Sequence, residues 1–353
     1  MTERLYRPQR NWGARIREMT YLGIRTVILE NQHLRIGILA GKGTDIVELN
    51  YKPLDLDFVW LTPGGVRNPV TFASTAPDAR AIFRDNYPGA WQEIFPSGGN
   101  PSSFEGANYN QHGELFNVPW DVAIVEDTED LVAARFTVRT RKSPFLLEKT
   151  IRLPAGEAGF QIQERIVNES PATTNAMWGH HITFGQPFLK PGSRIRLPDG
   201  ITVVPPTEDV SSGSCGASGA GTFTWPIDPR SGVDLSVIPD RGTPSGVHYL
   251  AGFRNSEAWY ELVDPETGIG ARIEWDADVM PYLWYWREFG ASTGYPWYGR
   301  NFNIGLEPFS SMPGSGLAEA VANETALRMQ PFQERAFWLT LSILLEGDST
   351  RSP

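Results

Sequence analysis

The stretch Phe145-Leu146-Leu147-Glu148-Lys149-Thr150-Ile151-Arg152-Leu153 decides the fold class. Phe145, Leu147, Ile151 and Leu153 fall on one face of an extended chain, and Leu146, Glu148, Thr150 and Arg152 on the other, because successive strand side chains point to opposite sides. Lys149 interrupts the apolar face, so the strand is amphipathic but imperfect. Phe160, Ile162, Glu164 and Ile166 repeat the alternation, and Phe337, Leu339, Leu341, Ile343 and Leu345 repeat it again, opposed by Thr340 and Ser342. Strand-like runs also lie near 21–30, 34–40, 45–51, 133–140, 173–184, 247–263, 269–276, 283–289, 302–307 and 324–330. Turn clusters rich in Gly, Pro, Asn and Asp separate them, as at 41–43, 96–103, 198–200 and 264–268. Helical signal is confined to 77–83, with Asp78 near its start, and to 316–321. The spacing of a doubly wound sheet or of a TIM barrel is absent. So many strands need a second layer to bury their inner faces, so the expected fold is one all-β domain of two large stacked sheets over residues 1–353. The low-complexity run Ser211–Gly221 reads as an exposed loop rather than a linker.

Composition agrees with this and narrows the function. The 353 residues are 41% hydrophobic and 20% charged, a globular balance. Gly 35 and Pro 28 make up nearly a fifth of the chain, which suits many strands and turns. Lys+Arg 31 against Asp+Glu 41 gives a net charge of −10. That sets aside nucleic acid and anionic membrane as main partners, because phosphate binding needs clustered cations. A single cysteine, Cys215, excludes a disulfide framework and a Cys-rich zinc site. The N-terminal segment is basic but lacks the apolar core of a secretion signal, and no window is long and apolar enough for a membrane span, so the cytoplasm is the expected location. Twelve tryptophans in an acidic β protein lean toward a small carbohydrate as partner, since indole faces stack on sugar C–H groups.

The histidines are His33, His112, His180, His181 and His248. His112 sits in Asn110-Gln111-His112-Gly113-Glu114, shortly before Val118-Pro119-Trp120. His180 and His181 sit in Trp178-Gly179-His180-His181-Ile182-Thr183-Phe184-Gly185, and as strand neighbours they point to opposite faces, so one at most serves a given cleft. A carboxylate, Glu307, ends the apolar run Ile304-Gly305-Leu306 and precedes Pro308. It shares a face with Gly305, beside which a ligand has room to approach. Taken singly, each has an ordinary explanation: a histidine in a turn, a packed histidine, a surface glutamate. The aromatic run 282–289 puts Trp284 and Trp286 on one face and Tyr285 and Arg287 on the other, and Trp284, Trp286 and the pair Trp91-Gln92 are candidates to line a sugar cleft.

Together, HGELFNVPW at 112–120, WGHHITFGQPFL at 178–189 and IGLEPFSSMP at 304–313 resemble the galactose mutarotase superfamily, that is aldose 1-epimerase and its relatives. The first motif looks most like the hexose-6-phosphate mutarotase branch, and the second like an epimerase-like branch with H-x-x-F/W-G-x-P-L. Leu327-Arg328-Met329-Gln330-Pro331 and the strand after it are similar to the superfamily's ending, so the likeness runs in order from about 34 to 345. It implies a β-supersandwich of two large antiparallel sheets with a concave sugar cleft, and an isomerase that interconverts the anomers of a free sugar. Glu307 matches the family's base. His181 matches its acid, ahead of His180, because an aromatic, Phe184, follows three positions later. His112 matches the first histidine, which supports the ring oxygen.

The departures concern the sugar. Tyr87-Pro88 stands where the hexose-6-phosphate branch has an arginine, which argues against a phosphate clamp there and for a neutral sugar. The arginine of the galactose branch is missing as well; Arg67 and Arg84 are possible stand-ins, and Asp276 and Glu288 are candidates to grip hydroxyls. His112, His181 and Glu307 could hold zinc, but acid–base exchange uses them without it, so no metal or cofactor is expected. The competing readings are a carbohydrate-binding protein on the same fold, a lyase, for which the usual helical toroid is lacking, and a hydrolase, which needs two facing carboxylates.

Overall fold

A computed structural model describes residues 10–72, 78–206, 221–254 and 258–345. Two large antiparallel sheets dominate it. The first has twelve strands. Across it run Arg15–Tyr21, Ile24–Glu30, Leu34–Leu39, Asp45–Tyr51, Trp91–Ile94, Gly179–Gly185, Asn303–Phe309, Tyr282–Glu288, Gly246–Ala251, Thr202–Val204 and Phe223–Thr224, with Leu56–Asp57 beside Asp45–Tyr51. The second has eight: Arg194–Arg196, Trp259–Val263, Gly270–Trp275, Glu334–Leu344, Gly159–Asn168, Phe145–Pro154, Leu131–Arg139 and Asp121–Asp127. The fold is therefore all-β, two large antiparallel sheets stacked on a shared core.

The alternation legible in the sequence is the reason the sheets stack. Along Phe145–Pro154 every second side chain is buried. Phe136, Ile151, Ile162 and Leu339 of the second sheet share one continuous core with Ile36, Leu49, Ile182 and Leu306 of the first. Each such side chain contributes roughly 1.5–3 kcal/mol when fully buried.

The two residues that spoil the alternation are partners. Lys149 stands directly opposite Glu164 in the register of neighbouring strands. Both face inward and are buried. Lys149 Nζ lies 2.8 Å from a carboxylate oxygen of Glu93, on the other sheet, and 3.6 Å from Glu164. The interior between the sheets thus holds an ion network rather than an unbroken apolar layer.

Some elements differ from expectation. The run 173–184 is two strands: Thr174–Ala176 pairs with Leu327–Met329 in a small ribbon, and the chain then enters the first sheet at Gly179. Arg15–Tyr21 is an edge strand with little burial and so shows no alternation. The helix expected at 77–83 spans Ala79–Asn86, with the Asp78 side chain accepting from the Arg80 and Ala81 amides. It stops at Tyr87, which is extended because Pro88 follows. The second helix is Leu317–Ala322. The loop expected over Ser211–Gly221 lies, but for Gly221, outside the described residues. Among the described residues no helix is long and apolar enough to cross a membrane.

Candidate active site

One row of side chains crosses the middle of the first sheet. In strand register Gln92 faces His181, and Trp284 stands between Glu307 and Tyr249. Gly179 opposite Phe309 and Thr183 opposite Gly305 set His181 opposite Glu307. Facing residues of antiparallel neighbours project to the same side, so Gln92, His181, Glu307, Trp284 and Tyr249 stand abreast. Their side is the one turned away from the second sheet, since Ile182, Leu283 and Leu306, which alternate with them, lie in the inter-sheet core.

On that side lies a cavity with about 650 Å³ of empty space, part of it open to solvent. His112, His181 and Glu307 line it together. His181 Nε2 lies 3.6 Å from Glu307 Oε1, and the rings of His112 and His181 meet edge to face at 5.1 Å. His112 enters from the loop after the strand Ala107–Tyr109, held in the left-handed region at φ 60. Its Nδ1 accepts from the Gly99 amide at 3.3 Å. In the neutral ring that leaves the proton on Nε2.

Burial sets the electrostatics. Desolvation pushes Glu307 well above the usual carboxylate range and pulls His181 down to about 3. His112 is also held well below its ordinary value, by burial first and then by the charges of His181 and Arg84. The pair therefore favours the uncharged forms, a carboxylic acid beside a neutral imidazole. Tyr87 OH lies 3.5 Å from His181 Nδ1, on the nitrogen away from Glu307.

The glycine beside the glutamate has a use that the sequence did not reveal. A Cβ on Gly305 would come within 2.3 Å of Glu307 Oε1. Gly305 therefore leaves room for the carboxyl group itself.

A family model described as a domain of unknown function, DUF4432, matches residues 22–343. The chain belongs to the DUF4432 family. No curated protein sequence matches it. Among solved structures, a candidate aldose 1-epimerase from Klebsiella pneumoniae is similar at 15% identity with a TM-score of 0.74, over 94% of this chain and 88% of that one. A galactose mutarotase-like protein from Clostridium acetobutylicum is similar at 14% identity and a TM-score of 0.65, over 94% and 98%. A galactose mutarotase related enzyme from Lactobacillus acidophilus follows at 15% and 0.59, over 90% and 97%. At these identities the likeness is one of fold.

The other candidate residues of this DUF4432 chain separate into two groups. Trp284 and Trp286 line the cavity. Trp284 stacks on Phe309 at 3.7 Å and donates Nε1 to the Ser311 carbonyl, while Trp286 joins Trp60, Trp297 and His181 in an aromatic wall. Arg84 also lines it.

His180, Trp91, Gln92 and Arg67, the other expected binding residues, are not among those that line it. His180 and Trp91 project between the sheets, because each precedes a residue of the row by one position. Trp91 Nε1 donates to His180 Nδ1 at 3.0 Å, and His180 Nε2 lies 3.1 Å from Glu164. Gln92 lies in the row but is fully buried, its Nε2 donating to Asp45 at 3.0 Å. Arg67 donates to the Asp85 carbonyl and stacks over Phe72 in a loop. Asp276 faces a groove on the second sheet, and Glu288 accepts from Ser292 Oγ and the Gly290 amide within its own turn, so neither grips a ligand in the cavity.

Tyr87, Gln111 and Trp297 line the cavity without having been singled out for it. The available signal for Tyr87 was its place directly before Pro88, which delivers it from a helix end into the site.

Among the described residues one cluster has the spacing of metal ligands: Glu93, Glu164 and His180. It does not fit a metal, because Lys149 Nζ already stands 2.8 Å from Glu93 and supplies the positive charge.

Proposed function

We propose that the cavity interconverts the α and β anomers of a free aldose. The observation that carries this is the Glu307–His181 pair, 3.6 Å apart and buried at the wall of one cavity with His112. Glu307 takes the proton of the O1 hydroxyl and His181 gives one to the ring oxygen. The C1–O5 bond breaks, the C1–C2 bond rotates, and O5 adds to the other face of the carbonyl with the proton transfers reversed. Each group ends as it began. Sugar hydroxyls donating to the Glu307 carboxylate replace the solvation lost on burial and favour the ionised pair that this step needs. His112, with its Nε2 proton free, positions the ring oxygen. Trp286 and Trp297 offer indole surface for the apolar face of the sugar.

The test is anomer exchange by NMR across a panel of free aldoses. Glu307→Gln and His181→Asn are each expected to lose about 10²–10⁴-fold in turnover, the usual size of a general acid–base contribution. Wild-type exchange of an aldose with Glu307→Gln equally fast would remove the assignment. Binding of sugars without any exchange would leave a carbohydrate-binding protein.

A further inference from the structure

Arg84 occupies the last turn of the helix Ala79–Asn86 and lines the same cavity as His181 and Glu307. Its Nε donates to Gln111 Oε1 at 3.2 Å. Among the described residues, no ion pair joins it to a carboxylate; the groups whose charge favours its own are Tyr295, whose hydroxyl donates to Asp85, and after it Asp78, which spends its carboxylate on the Arg80 and Ala81 amides. Arg80 sits one turn earlier, and its guanidinium reaches Asn100 Oδ1 rather than an acid. Like charges four apart weaken a helix, and a partly buried guanidinium without a counter-ion is costly. Burial, and after it the charge of Arg80, push Arg84 toward its neutral form. Among the described residues, a chain of net charge −10 thus keeps two cations without a carboxylate partner on the helix beside its cavity.

The order of groups gives that charge a position on the sugar. Glu307 is 3.6 Å from His181, the His181 ring meets that of His112, and Arg84 is near enough to His112 for its charge to act there. With Glu307 at O1 and His181 at the ring oxygen, the next atoms along the same line are carbon 5 and its branch.

We infer that the substrate is an aldose carrying an anionic group, a carboxylate or a phosphate, on the carbon-5 branch, with Arg84 as the residue that recognises it. This rests on the anomer-exchange reading. A guanidinium meets either oxyanion through paired N–H donors. The expectation of a neutral sugar rested on the arginine missing at Tyr87; Arg84 supplies a cation to the cavity from the helix just before it.

The experiment has a catalytic and a binding part. Anomer exchange is compared for glucose, glucuronate and glucose 6-phosphate with wild type, Arg84→Gln and Arg84→Lys. A charged sugar is expected to exceed glucose in kcat/KM by about tenfold or more, and Arg84→Gln to lower that ratio by about 10–100-fold, as for loss of a charged hydrogen bond. Arg84→Lys should keep part of the preference. Which charged sugar leads decides between carboxylate and phosphate. Equal use of glucose and both charged sugars, or a ratio that Arg84→Gln leaves in place, overturns the inference.

Binding is read by tryptophan fluorescence with the methyl glycosides of the same three sugars, which cannot open. Tighter binding of a charged methyl glycoside that is lost in Arg84→Gln supports the anionic subsite even if no sugar is exchanged, in which case the exchange reading fails and this one stands. Exchange of glucose with no preference for charge in either part does the opposite.

Discussion

The carboxyl group of Glu307 occupies the space that a side chain on Gly305 would fill, with 2.3 Å between Glu307 Oε1 and the site of the missing Cβ. Residues two apart on a strand share a face, so the glutamate depends on the glycine for the position that brings it to His181. Gly305→Ala should leave the fold intact, since the group in the way is the end of a side chain. The carboxyl must turn aside. Turnover is expected to fall toward that of Glu307→Gln, by about 10²-fold or more, with a thermal midpoint close to wild type. Full activity in Gly305→Ala would show that the carboxyl finds its place without the glycine.

Tyr87 touches the other side of the same histidine. With its hydroxyl 3.5 Å from Nδ1, it fixes the orientation of the ring whose Nε2 faces Glu307. Tyr87→Phe keeps the ring packing against Phe83 and Trp297 and removes the hydroxyl, with this contact and its hydrogen bond to Thr183. A loss of about three- to tenfold in kcat with KM little changed is expected, the size of one ordinary hydrogen bond. Steady-state kinetics on the aldose the wild type uses best provides the check.

Behind the row, Lys149 neutralises two carboxylates in the inter-sheet layer. Although burial works against it, Lys149 and then His180 hold Glu93 down at about 2, while burial and the charge of Glu93 push Glu164 up. Lys149→Met leaves both acids without their cation. It should cost about 3–5 kcal/mol, as for breaking a buried ion pair, read as a lower urea midpoint. Adding Glu93→Gln should recover part of the loss. A midpoint unmoved by Lys149→Met would mean that the carboxylates find another counter-charge.

These residues mark how far the sequence could be read. Period-two patterning identified the sheets because packing two sheets demands it, and the ordered motifs led to Glu307, His181 and His112, which the fold brings into one cavity. Lys149 and Glu164 looked like flaws in two separate strands, since single-strand periodicity carries no information on which strands pair. Trp91 and His180 were drawn toward the cleft by residue type, yet one step along a strand sends a side chain to the opposite face, and nothing local fixes which face is the cleft. Tyr87 and Arg84 reach the cavity from a helix end, a placement set by tertiary packing rather than by any repeat.

Glu307 should make the folded protein less stable as pH rises, with a definite sign. In the unfolded chain its carboxyl titrates near 4.5, and in the folded chain burial raises it well above that. Between the two values the folded chain keeps a proton that the unfolded chain has released, so folding stability falls with rising pH across that window. His181 acts in the opposite sense at lower pH. Its folded value near 3 against 6.5 unfolded means the unfolded chain binds the extra proton there, so its contribution improves as pH rises from about 3 to 6.5. Glu307→Gln removes the first effect and leaves the second in both proteins, so the difference between variant and wild type isolates the glutamate. Glu307→Gln should be more stable than wild type at pH 8, and its advantage should shrink on going down to pH 5, by up to about 1.4 kcal/mol for each pH unit inside the window. Thermal melts of both proteins at matched ionic strength across that range provide the measurement. An advantage that is flat with pH, or that grows toward pH 5, would show that Glu307 is not held in its protonated form by burial, and the uncharged resting pair would have to be given up.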